Sequence, residues 1–165
     1  MASSTSAAPQ IVSCTSDHDA EAFRRINEEW ISRLFTLTDE DRALLNDPRG
    51  QIIDPGGDVL IARRDNGTIL GCVALVRYPD DVLELSKMGV TPAAQGHGVG
   101  RRLVTAAIRR ARELRARRLF LGTNSKLGPA IHLYQDAGFT RITRDQLPVA
   151  DYYARADILM ELALT

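Results

Sequence analysis

The stretch from Val82 to Thr123 constrains the fold most. An apolar run, VLELSKMGV, leads into the glycine-rich segment TPAAQGHGVG. A long amphipathic stretch, RRLVTAAIRRARELRARR, follows and ends in a second apolar run, LFLGT. Leu103, Ala106, Ala107, Ala111 and Leu114 recur at helical spacing and form one apolar face. The eight arginines between Arg101 and Arg118 cover much of the remaining surface. A helix between two apolar strands is a crossover on a sheet, which places the chain among mixed α/β folds. Gly96, Gly98 and Gly100 stand where that helix has to start, although glycine is the poorest ordinary helix former.

The rest of the chain is consistent with this architecture. QIVSC predicts a first strand. A helix follows over TSDHDAEAFRRINEEWISRLF, with Ser16 and Asp19 at its start and Phe23, Ile26, Trp30 and Leu34 at helical spacing. A shorter helix begins near Thr38 and ends before Pro48. VLIARR and TILGCVALVRY are strands joined by the hairpin signal DNG. VLELSKMGV is the fourth strand and RRLFLGT the fifth. GPAIHLYQDAG is a short helix, with Pro129 in its first turn and Gly138 at its C-terminal end. FTRITRDQL and ADILMELAL close the sheet. The order is β-α-α-β-β-β-α-β-α-β-β, an antiparallel meander followed by crossover helices.

Length and charge narrow the function classes. At 165 residues the default is one domain, here residues 10–165, after a disordered lead-in over residues 1–9. Lys and Arg total 21 and so do Asp and Glu, so net charge gives no support for nucleic-acid or membrane binding. The arginine-rich helix lacks the interleaved aromatics of a nucleic-acid surface. Cys14 and Cys72, with His18, His97 and His132, show no metal-ligand or disulfide spacing, so no metal is expected. The first ten residues lack the basic start and apolar core of a secretory signal, and a cytoplasmic location is the expectation.

A strand, a glycine turn and a helix start form a standard anion-binding device. The helix N-terminus offers free N–H groups, and glycines let the backbone approach the anion. A glycine-softened loop with no ligand is the alternative. The Gly-Lys-Ser/Thr ending of a Walker loop is absent, and the glycine spacing departs from the dinucleotide fingerprint.

Gln95-x-x-Gly98-x-Gly100 resembles the Gln/Arg-x-x-Gly-x-Gly/Ala signature of the GNAT superfamily of acetyl-CoA-dependent N-acetyltransferases. NSKLGPAIHLYQDAGF resembles the later acyl-CoA segment of that family, ending in its Leu-Tyr-x-x-x-Gly-Phe pattern. The likeness covers roughly residues 12–162. It implies a mixed, mostly antiparallel, twisted α/β sheet of about seven strands flanked by about four helices. It also implies an acetyl-CoA co-substrate, direct transfer to a primary amine and, as in many relatives, a homodimer. A non-catalytic acyl-CoA-binding module of the same fold is the alternative.

Carried over residue by residue, the resemblance assigns the cofactor pyrophosphate to the loop of Gln95, Gly96, His97, Gly98, Val99, Gly100, Arg101 and Arg102. Met88 and Val90 match strand positions that pair with the pantetheine arm, with the Met88 amide as donor to the thioester carbonyl. Asn124 and Ala130 match later cofactor contacts. Glu84 matches a catalytic glutamate of several members, acting directly or through water. Four residues separate it from Met88, so simple strand alternation puts both on one face unless a bulge intervenes. Tyr134 matches the tyrosine near the CoA sulfur and would protonate the departing thiolate. In the family the acceptor site lies between the first two helices and the loop before the last strand. That makes Asn27, Glu28, Trp30, Arg33, Tyr152, Tyr153 and Arg155 candidate walls, with an arginine such as Arg33 or Arg155 able to grip a carboxylate. A small-molecule or amino-acid-like amine is the expected acceptor.

Overall fold

Ser16 starts the first helix as the sequence predicts, its hydroxyl accepting from the Asp19 amide at 3.1 Å while the Asp19 carboxylate accepts from the Thr15 amide. The computed structural model describes residues 8–164, so the expected lead-in over residues 1–9 lies outside the described residues except for Ala8 and Pro9. The strands are β1 (Gln10–Ser13), β2 (Asp58–Arg63), β3 (Ile69–Tyr78), β4 (Val82–Val90), β5 (Arg118–Thr123), β6 (Thr140–Ile142) and β7 (Ile158–Ala163). The helices are α1 (Asp17–Leu34), α2 (Asp39–Asn46), α3 (Val99–Glu113) and α4 (Gly128–Asp136). The predicted order holds throughout. Among the described residues no helix is long and apolar enough to cross a membrane.

The seven strands form one sheet in the order β1-β2-β3-β4-β5-β7-β6. Only β4 and β5 run parallel, as the α3 crossover requires. One face of the sheet packs on α3 and α4 through Leu75, Leu83, Leu103, Ala107 and Leu121. The other packs on α1 and α2 through Phe23, Leu45, Ile61, Cys72 and Ala74.

Three details depart from the sequence reading. On α1 the buried line runs Phe23, Asn27, Ile31, with Ile26 and Trp30 only half-buried beside it. Asn27 tolerates full burial because its amide donates to the Phe23 carbonyl at 2.9 Å and accepts from Trp30 Nε1 at 2.8 Å. The strand predicted over FTRITRDQL stops at Ile142. Thr143 and Gln146 there cap a short 3₁₀ turn reciprocally, which turns the chain out of the sheet. The third departure is a bulge in β4. Register with β3 slips between Gly89 and Ser86, and Lys87 takes φ +53°. The bulge separates Glu84 from Met88. Glu84 pairs with Val76 on the α1 and α2 side, whereas Met88 packs with the α3 and α4 core. Simple alternation, which put both on one face, fails at Lys87.

Candidate active site

β4 and β5 pair only from Val82–Arg118 to Glu84–Phe120 and then part. Beyond that point the facing strand edges carry backbone N–H and C=O groups with no partner strand between them. A cleft of about 700 Å³ opens there, walled by Leu85–Val90 on one strand and Gly122–Asn124 on the other. It continues across the start of α3 to α4, and past α1 to the loop before β7. The carbonyl of Val90 is held at this edge by Gln95 Nε2 at 3.2 Å.

At one end of the cleft stands the N-terminus of α3. Its cap is Gly98 at φ +81°, preceded by Gly96 at φ +80°, and neither residue has an atom within 4 Å of where a Cβ would lie. Gly98 has no side chain to bond the first-turn amides, so the N–H groups of Val99, Gly100 and Arg101 face the cleft without an intrahelical acceptor. Gly100 serves a different purpose. A Cβ there would come within 2.9 Å of Leu133 on α4, so this glycine lets the two helices approach. Arg101 lines the cleft and pairs with Asp136 at 2.8 Å. His97 and Arg102 are exposed and their side chains lie outside the cleft.

Midway along, Met88, Val90, Ala130 and Leu133 give the cleft apolar walls, and Tyr134 reaches it from α4. The Tyr134 ring is buried edge-on against Phe139 at 5.9 Å. Its hydroxyl makes no hydrogen bond among the described residues, and burial raises its pKa, so it keeps its proton. Asn124 also lines the cleft, but its side chain is in use. Its amide donates to the Arg155 carbonyl at 2.7 Å and accepts from the Lys126 amide at 2.9 Å.

Glu84 is 2% exposed and does not line the cleft. Tyr152 covers it, donating its hydroxyl to one carboxylate oxygen, and Tyr78 donates to the other at 3.1 Å. The Tyr152 ring lies against Gly122, where any Cβ would collide with it. Phe120 packs edge-on against the same ring at 5.9 Å. Burial raises the Glu84 pKa, partly offset by the Tyr152 hydroxyl and the charge of Lys87. Tyr152 therefore stands between the carboxylate and the cleft.

The far end is organised by Asp41, which is wholly buried. Arg155 grips it with two hydrogen bonds of 2.7 Å, and Lys87 Nζ lies 2.9 Å away. Burial would raise the Asp41 pKa, but Arg155, Lys87 and the Thr38 amide outweigh it and hold the carboxyl well below the usual range. Lys87 also donates to the Tyr153 hydroxyl at 3.2 Å and sits 4.7 Å from its ring centroid. Trp30, Arg33 and Phe35 complete this wall. Arg33 is exposed and bonded to Glu29.

The Acetyltransferase (GNAT) family model matches residues 20–139, most of the chain. This chain belongs to the GNAT acetyltransferase family. An N-acetyltransferase of Schizosaccharomyces pombe is 30% identical over 73% of this chain and 76% of its own length. The chain spans less than half of the mycothiol acetyltransferases it also matches, such as that of Cellulomonas flavigena, at 33% identity over 77% of this chain and 39% of that protein. In fold it is similar to a GNAT acetyltransferase of Staphylococcus aureus, with TM-score 0.86, 20% identity and coverage of 96% and 100%. It is also similar to an acetyltransferase of Salmonella typhimurium solved with its cofactor acetyl-CoA. That match has TM-score 0.73, 24% identity and coverage of 96% and 95%.

Within this GNAT chain the residues singled out from sequence largely converge. Trp30, Arg33, Met88, Val90, Gln95, Gly96, Gly98, Val99, Gly100, Arg101, Asn124, Ala130, Tyr134, Tyr153 and Arg155 all line one cleft. Arg155 does so with two donors already spent on Asp41. Sequence reasoning missed Asp41, Lys87, Gly122 and Lys126. The Thr38-x-x-Asp41 spacing marks a capping box, which the structure forms, but nothing in it signals two cations on that aspartate. A lysine inside an apolar strand was the available sign for Lys87. Neither cysteine lines the cleft, and burial pushes the Cys72 thiol up to about 12, so neither fits an acyl carrier.

Proposed function

We propose that this chain transfers an acetyl group from acetyl-CoA to the primary amine of a small, amino-acid-like acceptor by direct attack on the thioester. The observation that carries the reading is the continuity of one cleft. It joins an uncapped helix N-terminus, an open strand edge and a polar far wall. The first end fits a pyrophosphate, because the amides of Val99 to Arg101 are free and Gly96 and Gly98 leave the approach clear. The open β4 edge at Met88 and Val90 suits the amide-bearing pantetheine arm. Bound, acetyl-CoA supplies an acetyl thioester with a thiolate leaving group.

The residues of the chain divide the remaining work. Tyr134 lines the cleft and keeps a proton at its hydroxyl, which would serve a leaving thiolate. An ammonium has no lone pair, so the acceptor has to lose a proton before it attacks. Glu84 takes that proton through Tyr152: the amine gives a proton to the Tyr152 oxygen as Tyr152 gives its own to the carboxylate. The raised Glu84 pKa places the rise of rate with pH above the ordinary carboxylate range.

The test is thiol release from acetyl-CoA across an amine panel, with Glu84→Gln and Tyr152→Phe. Each variant is expected to lower turnover by about 10²–10⁴-fold. The double variant should be no worse than either single one, because the two groups act in series. Wild-type turnover in Tyr152→Phe would remove the relay. Binding of acetyl-CoA with no thiol release to any amine would favour the non-catalytic module.

A further inference from the structure

Charge in the cleft is one-sided. Arg33, Lys87, Arg101, Lys126 and Arg155 line it, and among the described residues no Asp or Glu does. Arg101 belongs to the α3 end and is paired with Asp136, and Arg33 is paired with Glu29. The rest gather around Asp41. Lys87 and Arg155 share that single carboxylate, which leaves one positive charge in excess. Lys126 adds a second, since it makes no ion pair among the described residues and lies 5.3 Å from the Phe35 ring. Glu84 is sealed behind Tyr152 and does not line the cleft. Aromatic rings of Trp30, Phe35, Tyr152 and Tyr153 wall the same space.

We propose that this end of the cleft is a carboxylate subsite, and that the acceptor is a small amine bearing a free carboxylate, an α-amino acid or close analogue. The proposal rests on the acetyltransferase reading. Lys126, unpaired among the described residues, is the exposed cation of this group. Arg155 lines the cleft and has five N–H donors, of which it spends two on Asp41. A carboxylate here neutralises the excess charge, and the rings take the rest of the molecule. A polyamine or a lysine tail brings more positive charge to a cleft that, among the described residues, no Asp or Glu lines. The same excess disfavours the ammonium form of the bound amine, the form that has to be shed before attack.

The experiment compares thiol release with the L-amino acids, their carboxamides and spermidine, in the wild type and in Lys126→Glu. Lys126 is exposed, so its replacement leaves the core untouched. The best acid should exceed its amide by about tenfold or more in kcat/KM, the scale of one charge-assisted hydrogen bond. Lys126→Glu should abolish that preference by raising KM for the acid and not for the amide. Equal rates for acids and amides, or a preference for spermidine, overturn the subsite. So does a protein that binds acetyl-CoA and acetylates amides or spermidine but no acid, which leaves the acetyltransferase reading standing. If acetyl-CoA itself does not bind, that reading fails. Calorimetric titration of the same acids and amides into the protein then decides the subsite alone, acid preference supporting it and its absence overturning it.

Discussion

Tyr134 presents a hydroxyl to the cleft while its ring is fixed against Phe139. Tyr134→Phe thus removes one O–H and keeps the packing. Turnover should fall by about 10²–10⁴-fold with acetyl-CoA affinity nearly unchanged, as read by steady-state kinetics beside calorimetry. Unchanged turnover across the pH range would take Tyr134 out of the chemistry. Sequence reached this tyrosine through a pattern of neighbours, Leu133, Gly138 and Phe139, of which Phe139 also packs on the ring. It also reached Glu84, but not the tyrosine lid over it. That lid depends on Gly122, whose missing side chain makes room for the Tyr152 ring. A glycine in a strand does not say which ring will lie on it.

At the scale of elements, the cap of α2 is also the keystone of the acceptor wall. Asp41 closes the Thr38 capping box and at the same time neutralises Lys87, which the β4 bulge turns inward. Asp41→Asn keeps much of the cap but leaves a buried ammonium without its counter-charge. Removing one partner of such a pair costs about 3–5 kcal/mol, which urea or thermal unfolding would register. The sign of the pH dependence follows from the depressed Asp41 pKa. The folded state binds that proton less readily than the unfolded chain does. The contribution of Asp41 is therefore complete above the ordinary carboxylate value of about 4 and drains away as pH falls towards the folded value. Asp41→Asn should be less stable at neutral pH and should lose part of the acid sensitivity of the wild type. A variant as stable as the wild type would show that the cluster contributes nothing to folding. Helix ends were readable because local residues set them: Ser16, Thr38, Pro129 and Gly138 act within a few positions of themselves. A bulge in β4 was allowed for, but its place at Lys87 was not readable, because its register is set across the sheet by β3.

For the molecule as a whole, the order of elements was legible from periodicity and turn residues, because each strand and helix carries its own hydrophobic pattern. The parting of β4 from β5 was not. It depends on two strands that pair over three residues and then diverge, and no local pattern records where pairing stops. That divergence creates the cleft, and the glycine loop stands at one end of it. The central claim is that this loop and the start of α3 form a CoA site. Calorimetric titration of the protein with acetyl-CoA, CoA and NAD, beside the same titrations of Gly98→Val, tests it most directly. The account predicts that both CoA compounds bind and NAD does not, and that acetyl-CoA at 100 times its dissociation constant adds about 2.7 kcal/mol of stability. It predicts weakened CoA binding in a folded Gly98→Val, because a β-branched residue is strained at φ +81° and adds bulk where the amides face the ligand. No binding of either CoA compound to the wild type, or full affinity in the folded variant, would contradict it.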